Sequence, residues 1–151
     1  MLSYVTHLEC SISGEHYPAG QIHGLSKAGR PLLVRYDLDR MRNELSKQKI
    51  AASTANGFWR YAPMLPVAKP ESRISLGEVV TPLMPLISSA TMLGGAPGNI
   101  IVKDEGRLPT GSFKARGLAL AVSMAHEFGL DHLAIPTNGN AGAAMAAYAR
   151  Q

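Results

Sequence analysis

A lysine directly follows a tight turn in the stretch KDEGRLPTGSFKARG (103–117). Glycine and proline punctuate this loop, and the apolar spacing after Lys114 predicts a helix that begins there. The positive end of a helix disfavours an ammonium ion and favours the neutral amine, which is the form that attacks a carbonyl carbon. Lys114 is therefore a candidate nucleophile, although a lysine near a helix start is more often simply solvated.

A second polar loop, PTNGNAG (136–142), precedes an alanine-rich helical pattern. The residues that enter this helix are Thr137, Asn138, Gly139 and Asn140. Unpaired backbone N–H groups and the positive helix end suit a carboxylate or a phosphate at such a position. The alternative interpretation is an ordinary turn and helix entry.

The elements around the two loops predict an α/β fold. NIIVKDE (99–105) is typical of a buried strand, and a helix is expected from about 113 to 128, where Gly129 is a natural stop. HLAIP (132–136) is then predicted as a short strand before the last helix. This alternation favours parallel βαβα units, in which ligands bind at the carboxyl ends of the strands.

The chain divides into three predicted parts. Residues 1–36 form a small arm that closes with a strand, and residues 37–75 form a helix followed by a linker, with Asp37 as the helix N-cap. Residues 76–151 carry both candidate loops and begin a larger α/β domain. Because the sequence stops inside a helical pattern at Gln151, we expect this domain to be incomplete here.

The composition indicates a globular domain and argues against nucleic-acid and membrane partners. Hydrophobic residues make up 46% and charged residues 17% of the 151 residues, as in an ordinary globular domain. The net charge of +4 is scattered through the first half, which argues against a nucleic-acid partner. No apolar run is long enough for a membrane span, and the single cysteine fits a reducing cytoplasm.

The two loop motifs resemble those of a known enzyme family. PTGSFKARG (109–117) resembles the lysine motif of pyridoxal-phosphate enzymes of fold type II, the tryptophan synthase beta-like group, and TNGNAG (137–142) resembles their asparagine loop. SLGEVVTPLMPL (75–86) and PLLVRYDL (31–38) narrow the resemblance to the threonine synthases. The resemblance covers nearly the whole chain, with the motifs in the family's order and spacing.

The resemblance implies pyridoxal 5′-phosphate as cofactor and a small amino-acid substrate. It assigns the covalent bond to the cofactor and the proton transfers to Lys114, and a hydrogen bond to the cofactor's 3′ oxygen to Asn140. The expected cradle for the substrate carboxylate consists of Thr137, Asn138, Gly139, Asn140 and Ala141. The implied reaction converts O-phosphohomoserine and water into threonine and phosphate, in a homo-oligomer.

Departures from the family pattern keep other functions open. Leu108 stands where relatives commonly have asparagine, and Asn138 stands where a small residue is usual. A threonine or serine dehydratase shares both motifs, and a non-catalytic paralogue or structural fragment is a further alternative. Family members bind the cofactor phosphate through a glycine-rich loop further along the chain, so we expect these residues alone to be inactive.

The arm resembles a degenerate zinc ribbon. Relatives carry two Cys-x-x-Cys pairs there, whereas this chain has Cys10 and Ser13 at the first pair and, by alignment on the following strand, Leu25 and Ala28 at the second. Because three of four ligands are lost, we expect no metal and a ribbon-shaped arm held by packing. The alternative is a different metal site formed by His7, Cys10, His16 and His23.

Overall fold

The structure, a computed structural model, describes residues 3–55, 57–96 and 98–151 and combines helices with strands, as expected for an α/β chain. The longest described helix has 14 residues, and none of the described helices is long and apolar enough to cross a membrane. The strands are β1 (Val5–Cys10), β2 (His16–Pro18), β3 (Leu32–Tyr36), β4 (Leu83–Pro85) and β5 (Ile101–Lys103). The α-helices are α1 (Leu38–Glu44), α2 (Lys47–Ala51), α3 (Ile87–Met92), α4 (Lys114–Glu127) and α5 (Asn140–Ala149). Short 3₁₀ segments cover Gly57–Met64, Pro70–Ser72, Glu105–Arg107 and Pro109–Gly111.

The arm is a three-stranded antiparallel sheet in the order β2-β1-β3. At the end of β1 the buried Cys10 thiol donates to the Ser26 hydroxyl at 3.0 Å, and the Ser13 N–H contacts the sulfur at 3.4 Å. The residue that faces Cys10 is thus Ser26, which follows Leu25 in the chain. Once the thiol is ionised, the Ser13 and Ser26 hydroxyls can donate to the sulfur, and this stabilisation of the thiolate lowers the pKa of Cys10 to about 6.

The helix predicted after Asp37 is two short helices. The Asp37 carboxylate accepts the Arg40 N–H at 2.9 Å, which confirms the predicted N-cap. The helix ends at Glu44, and Ser46, in an extended conformation, accepts the Lys49 N–H at 3.2 Å to start α2. A serine inside a helical pattern competes for backbone donors in this way, and here that competition restarts the helix.

The main core lies between α4 and α5. Ala115 and Ala119 on α4 and Ala144 on α5 are completely buried, because small side chains allow the two helix backbones to approach closely. Leu118 and Val122 also belong to the buried face of α4, in agreement with its helical periodicity. The cluster consists of Leu108, Ala115, Leu118, Ala119, Val122, Ala144 and Tyr148.

The predicted parallel pairing is not observed among the described residues, where every strand pair is antiparallel. The strand predicted at 99–105 is shortened to β5, and its residues are exposed. Residues 132–136, predicted as a strand, have no strand assignment. Leu133 and Ile135 nevertheless pack on the α4–α5 core. A strand needs a hydrogen-bonding neighbour, and the described part of the chain provides none for this segment.

Candidate active site

A strained turn delivers Lys114 to the first position of α4. Thr110 has φ of 64° and ψ of 12°, a left-handed conformation that β-branched residues rarely adopt, and Gly111 follows at φ of 69°. The Ser112 hydroxyl then accepts the Lys114 N–H at 3.3 Å. Such strain in the backbone is common next to functional groups, and here it directs the chain into the helix.

The Lys114 side chain is half-buried and is not engaged by a carboxylate. Its Nζ lies 4.8 Å from the centroid of the exposed Phe113 ring, and none of the ion pairs among the described residues includes it. Because Lys114 has no acidic partner among the described residues, its amine remains available to an incoming aldehyde.

The second loop is capped by a side chain from outside the helix. The Thr137 hydroxyl accepts the N–H groups of Gly139 and Gly142, each at 3.0 Å. Gly139 reaches φ of 130°, which L side chains rarely adopt, and α5 begins at the next residue, Asn140. The N–H groups of Asn140 and Ala141 have no acceptor among the described residues, so they stay available to an anion at the helix start.

The two loops line one cleft of about 470 Å³. Its lining residues are Lys114, Pro136, Thr137, Asn138, Asn140 and Ala141. Gly139 lies between the lining residues Asn138 and Asn140 in the chain. The structure therefore brings the predicted lysine and the predicted carboxylate cradle to one cleft.

An ion-pair network lies at the beginning of α4. Arg116 donates to both carboxylate oxygens of Glu105, from Nε at 2.6 Å and from Nη2 at 2.9 Å. Thr81, which is buried, donates to Glu105 at 2.7 Å, and Lys103 Nζ lies 3.6 Å from the same carboxylate. The hydrogen bonds from Arg116 lower the pKa of Glu105 to about 2. Lys103 and Arg116 are therefore both ion-pair partners of Glu105.

A buried carboxylate that sequence reasoning missed is bound by the tyrosine near the end of α5. Glu78 is 3% exposed and accepts hydrogen bonds from the Tyr148 hydroxyl and the Ser75 hydroxyl, each at 2.6 Å, and from the Leu76 N–H at 3.0 Å. Burial is the largest effect and raises its pKa, but these donors outweigh it and leave the pKa of Glu78 below its ordinary value. Burial, followed by the contact with Glu78, raises the pKa of Tyr148. The only signal in the sequence was that Glu78 is the single charged residue in the stretch 75–86.

Comparison with known proteins decides the family. A family model described as "Pyridoxal-phosphate dependent enzyme" matches residues 74–151, just over half of the chain. The chain belongs to this family. The cofactor predicted from the lysine and asparagine motifs, pyridoxal phosphate, is confirmed as the family's cofactor.

Similar curated proteins of this family are threonine synthases. The chain is 34% identical to that of Methanocaldococcus jannaschii over 139 residues, which cover 92% of this chain and 34% of the relative. It is 34% identical to that of Methanosarcina acetivorans over 143 residues, covering 94% of this chain and 34% of the relative. The threonine synthase of Synechocystis sp. is 42% identical over 91 residues, covering 60% of this chain and 24% of the relative. The predicted resemblance is thus confirmed, and the chain spans about a third of the length of the first two relatives.

The cleft residues fit the chemistry of this cofactor. Lys114 brings to the cleft an amine without an acidic partner, and Asn140 brings an exposed side-chain amide. An amine can react with an aldehyde, and an amide can donate to a ring oxygen. The N–H groups at the start of α5 suit the carboxylate of an amino acid. The donors in the cleft therefore match an aldehyde-bearing ring together with an anionic substrate group.

Proposed function

We propose that this chain provides the part of a threonine synthase active site that contains the cofactor-binding lysine. The proposed reaction converts O-phosphohomoserine and water into threonine and phosphate. The observation that carries the proposal is the shared cleft of Lys114 and the loop that leads into α5. The threonine synthases among the similar proteins favour this activity over other reactions of the family.

Lys114 binds the cofactor covalently and carries protons to and from the carbon atoms of the substrate. Pyridoxal phosphate, when bound, acts as the sink for the electrons that these deprotonations release. Asn140 donates its side-chain amide to the 3′ oxygen of the ring. The substrate carboxylate is held by the loop and helix start formed by Thr137, Asn138, Gly139, Asn140 and Ala141.

Glu105 and Arg116 act as positioning residues in this proposal. Their two hydrogen bonds fix the turn that precedes Lys114 against the first turn of α4. A paired carboxylate also keeps the charge of Arg116 neutralised close to the lysine, so the helix start is not made more cationic.

Turnover measured on the complete open reading frame that contains this sequence tests the proposal. We expect release of phosphate from O-phosphohomoserine together with formation of threonine. Lys114→Ala should lower the rate by about 10²–10⁴-fold or more, because both the covalent anchor and the proton carrier are lost. Lys47→Ala, which removes an exposed lysine on α2, is the matched control and should leave the rate unchanged.

The same assay separates the synthase from the dehydratase that shares its motifs. Formation of a 2-oxo acid and ammonia from threonine, without consumption of O-phosphohomoserine, would contradict the proposed reaction and favour the dehydratase. Full activity of the Lys114→Ala variant would contradict the assigned role of the lysine.

A further inference from the structure

Three side chains with metal-binding atoms share one face of the arm. His7 and Glu9 are two residues apart on β1, so they point to the same side of the strand. His16 on β2 is paired directly with Glu9 in the register of the sheet. The neighbouring strand positions on β1, Leu8 and Cys10, point to the opposite face, so this cluster is separate from the contact between Cys10 and Ser26.

The distances suit one small cation. The Oε2 atom of Glu9 lies 3.8 Å from His7 Nε2 and 3.7 Å from His16 Nε2, and the ligand atoms all lie within 4.8 Å of one another. Two ligand atoms at about 2.1 Å from a tetrahedral zinc ion are about 3.4 Å apart, so each histidine nitrogen needs to move only a few tenths of an ångström toward Glu9. The separation between the two histidine nitrogens is at most 4.8 Å, and rotation of the exposed His16 ring can shorten it. The two imidazole rings already lie close, with centroids 4.0 Å apart.

The hydrogen bonds of His7 fix which of its nitrogens carries a lone pair in the neutral ring. The Thr6 hydroxyl donates to the Arg35 carbonyl at 3.2 Å, and a carbonyl can only accept. The contact of 2.9 Å between that hydroxyl and His7 Nδ1 is therefore donated by Nδ1–H. The neutral His7 ring then presents an unprotonated Nε2, and fixing the tautomer through the other nitrogen is typical of histidines that bind metals.

This Nε2 atom has an unusual environment. It is buried and has no hydrogen-bond partner among the described residues. Its nearest charged neighbour is the Oε2 atom of Glu9, which is too far for a hydrogen bond. A lone pair that faces a carboxylate oxygen in a buried position is unfavourable unless a cation lies between them.

Arg35 holds the carboxylate in place. Its Nη2 atom donates to Oε1 of Glu9 at 2.6 Å, which leaves Oε2 directed toward the two histidines. The side chain of His16 is 64% exposed, so a solvent molecule can reach the fourth position of a tetrahedral site there.

We propose that His7, Glu9 and His16 form a three-ligand site for a divalent transition metal, with zinc as the metal that best suits two imidazoles and one carboxylate. The site joins β1 to β2 and stabilises the arm. It departs from the sequence-based expectation of no metal, because that expectation considered the cysteine positions of a ribbon and a set of histidines with Cys10, and not Glu9. It is independent of the proposed catalytic function.

Metal binding to the 151-residue chain tests the site. After removal of metals with a chelator, the protein is titrated with zinc against a chromophoric competitor, and bound zinc is counted by elemental analysis. We expect one zinc per chain, with affinity lowered more than about tenfold in His16→Ala, which removes an exposed ligand at little risk to folding. Zinc should also raise the thermal midpoint of the wild-type chain but not that of His16→Ala, because it binds the folded state.

Two variants control for other modes of binding. His132→Ala removes an exposed histidine outside the arm and should keep the wild-type affinity and stoichiometry. Cys10→Ser should also keep them, with folding of each variant checked by circular dichroism. Failure of the wild-type chain to bind zinc above the level of the His16→Ala variant would overturn the proposal. Loss of binding in Cys10→Ser with retention in His16→Ala would overturn it as well, by placing the metal at the cysteine.

Discussion

The side chain of Glu105 links the lysine turn to the helix that follows it. Its carboxylate accepts two hydrogen bonds from Arg116 and one from Thr81 and lies 3.6 Å from Lys103 Nζ. These donors stabilise the ionised form, so the pKa falls to about 2 in the folded protein. Stability therefore depends on the charge of this residue, and that dependence can be measured.

We expect Glu105→Gln to lower the free energy of unfolding by about 1–2 kcal/mol at pH 7, because the charge-assisted hydrogen bonds are lost. A carboxylate with a depressed folded pKa stabilises fully above its ordinary value of 4.5, and that contribution is lost as pH falls through the folded pKa of about 2. The difference between wild type and variant in urea unfolding should therefore shrink between about pH 5 and pH 2. Glu71→Gln, at an exposed glutamate outside the described ion pairs, is the control. A difference that stays constant with pH would contradict the role of the charge.

At the scale of elements, the start of α5 depends on close packing between a threonine and a glycine. Thr137 replaces the usual N-cap side chain, since the N-cap residue is Gly139. A β-carbon on Gly142 would lie 2.7 Å from Cγ2 of Thr137, so a larger residue would force the threonine to rotate. That rotation would break the two hydrogen bonds that order the loop.

A pair of glycine variants tests this packing. Gly142→Ala should destabilise the chain by about 1 kcal/mol despite alanine's better helix propensity, because the Thr137 cap is lost. Gly117→Ala, within α4, meets nothing within 4 Å and should instead stabilise by about 0.5–1 kcal/mol. Urea unfolding measures both changes. Stabilisation by both substitutions would show that the contact with Thr137 does not constrain the loop.

At the scale of the whole molecule, a few contacts join segments distant in sequence. Tyr148 on α5 reaches Glu78 across 70 positions, and a β-carbon on Gly57 would lie 1.5 Å from the Glu78 carbonyl oxygen. Local patterns predicted both ends of α4 to within one residue, because the spacing of its apolar residues and the stop at Gly129 are features of neighbouring residues. They could not predict the Tyr148–Glu78 contact, since no local signal links two residues so far apart.

The difference between local patterns and contacts of distant segments also explains which predictions succeeded at the candidate site and in the sheet. One cleft is lined by Lys114 and by four of the five residues predicted to form the carboxylate cradle. Their motifs could be recognised in the sequence because each motif occupies one continuous loop. The prediction of a strand at 132–136 was wrong, since strand formation depends on a hydrogen-bonding neighbour that a local pattern cannot supply. The boundaries between the three parts of the chain, the homo-oligomer, the cytoplasmic location and the roles of the individual cleft residues stay predictions.

The central claim is that Lys114 is the lysine that carries the cofactor, and covalent labelling tests it most directly. The chain is incubated with pyridoxal phosphate, reduced with borohydride to convert any imine into a stable secondary amine, and analysed by peptide mass spectrometry. We predict a pyridoxyl label concentrated on Lys114, accompanied by a visible absorption band before reduction that disappears in Lys114→Ala and persists in Lys47→Ala. Equal labelling of Lys114 and the exposed lysines, or a band that survives in Lys114→Ala, would contradict the claim.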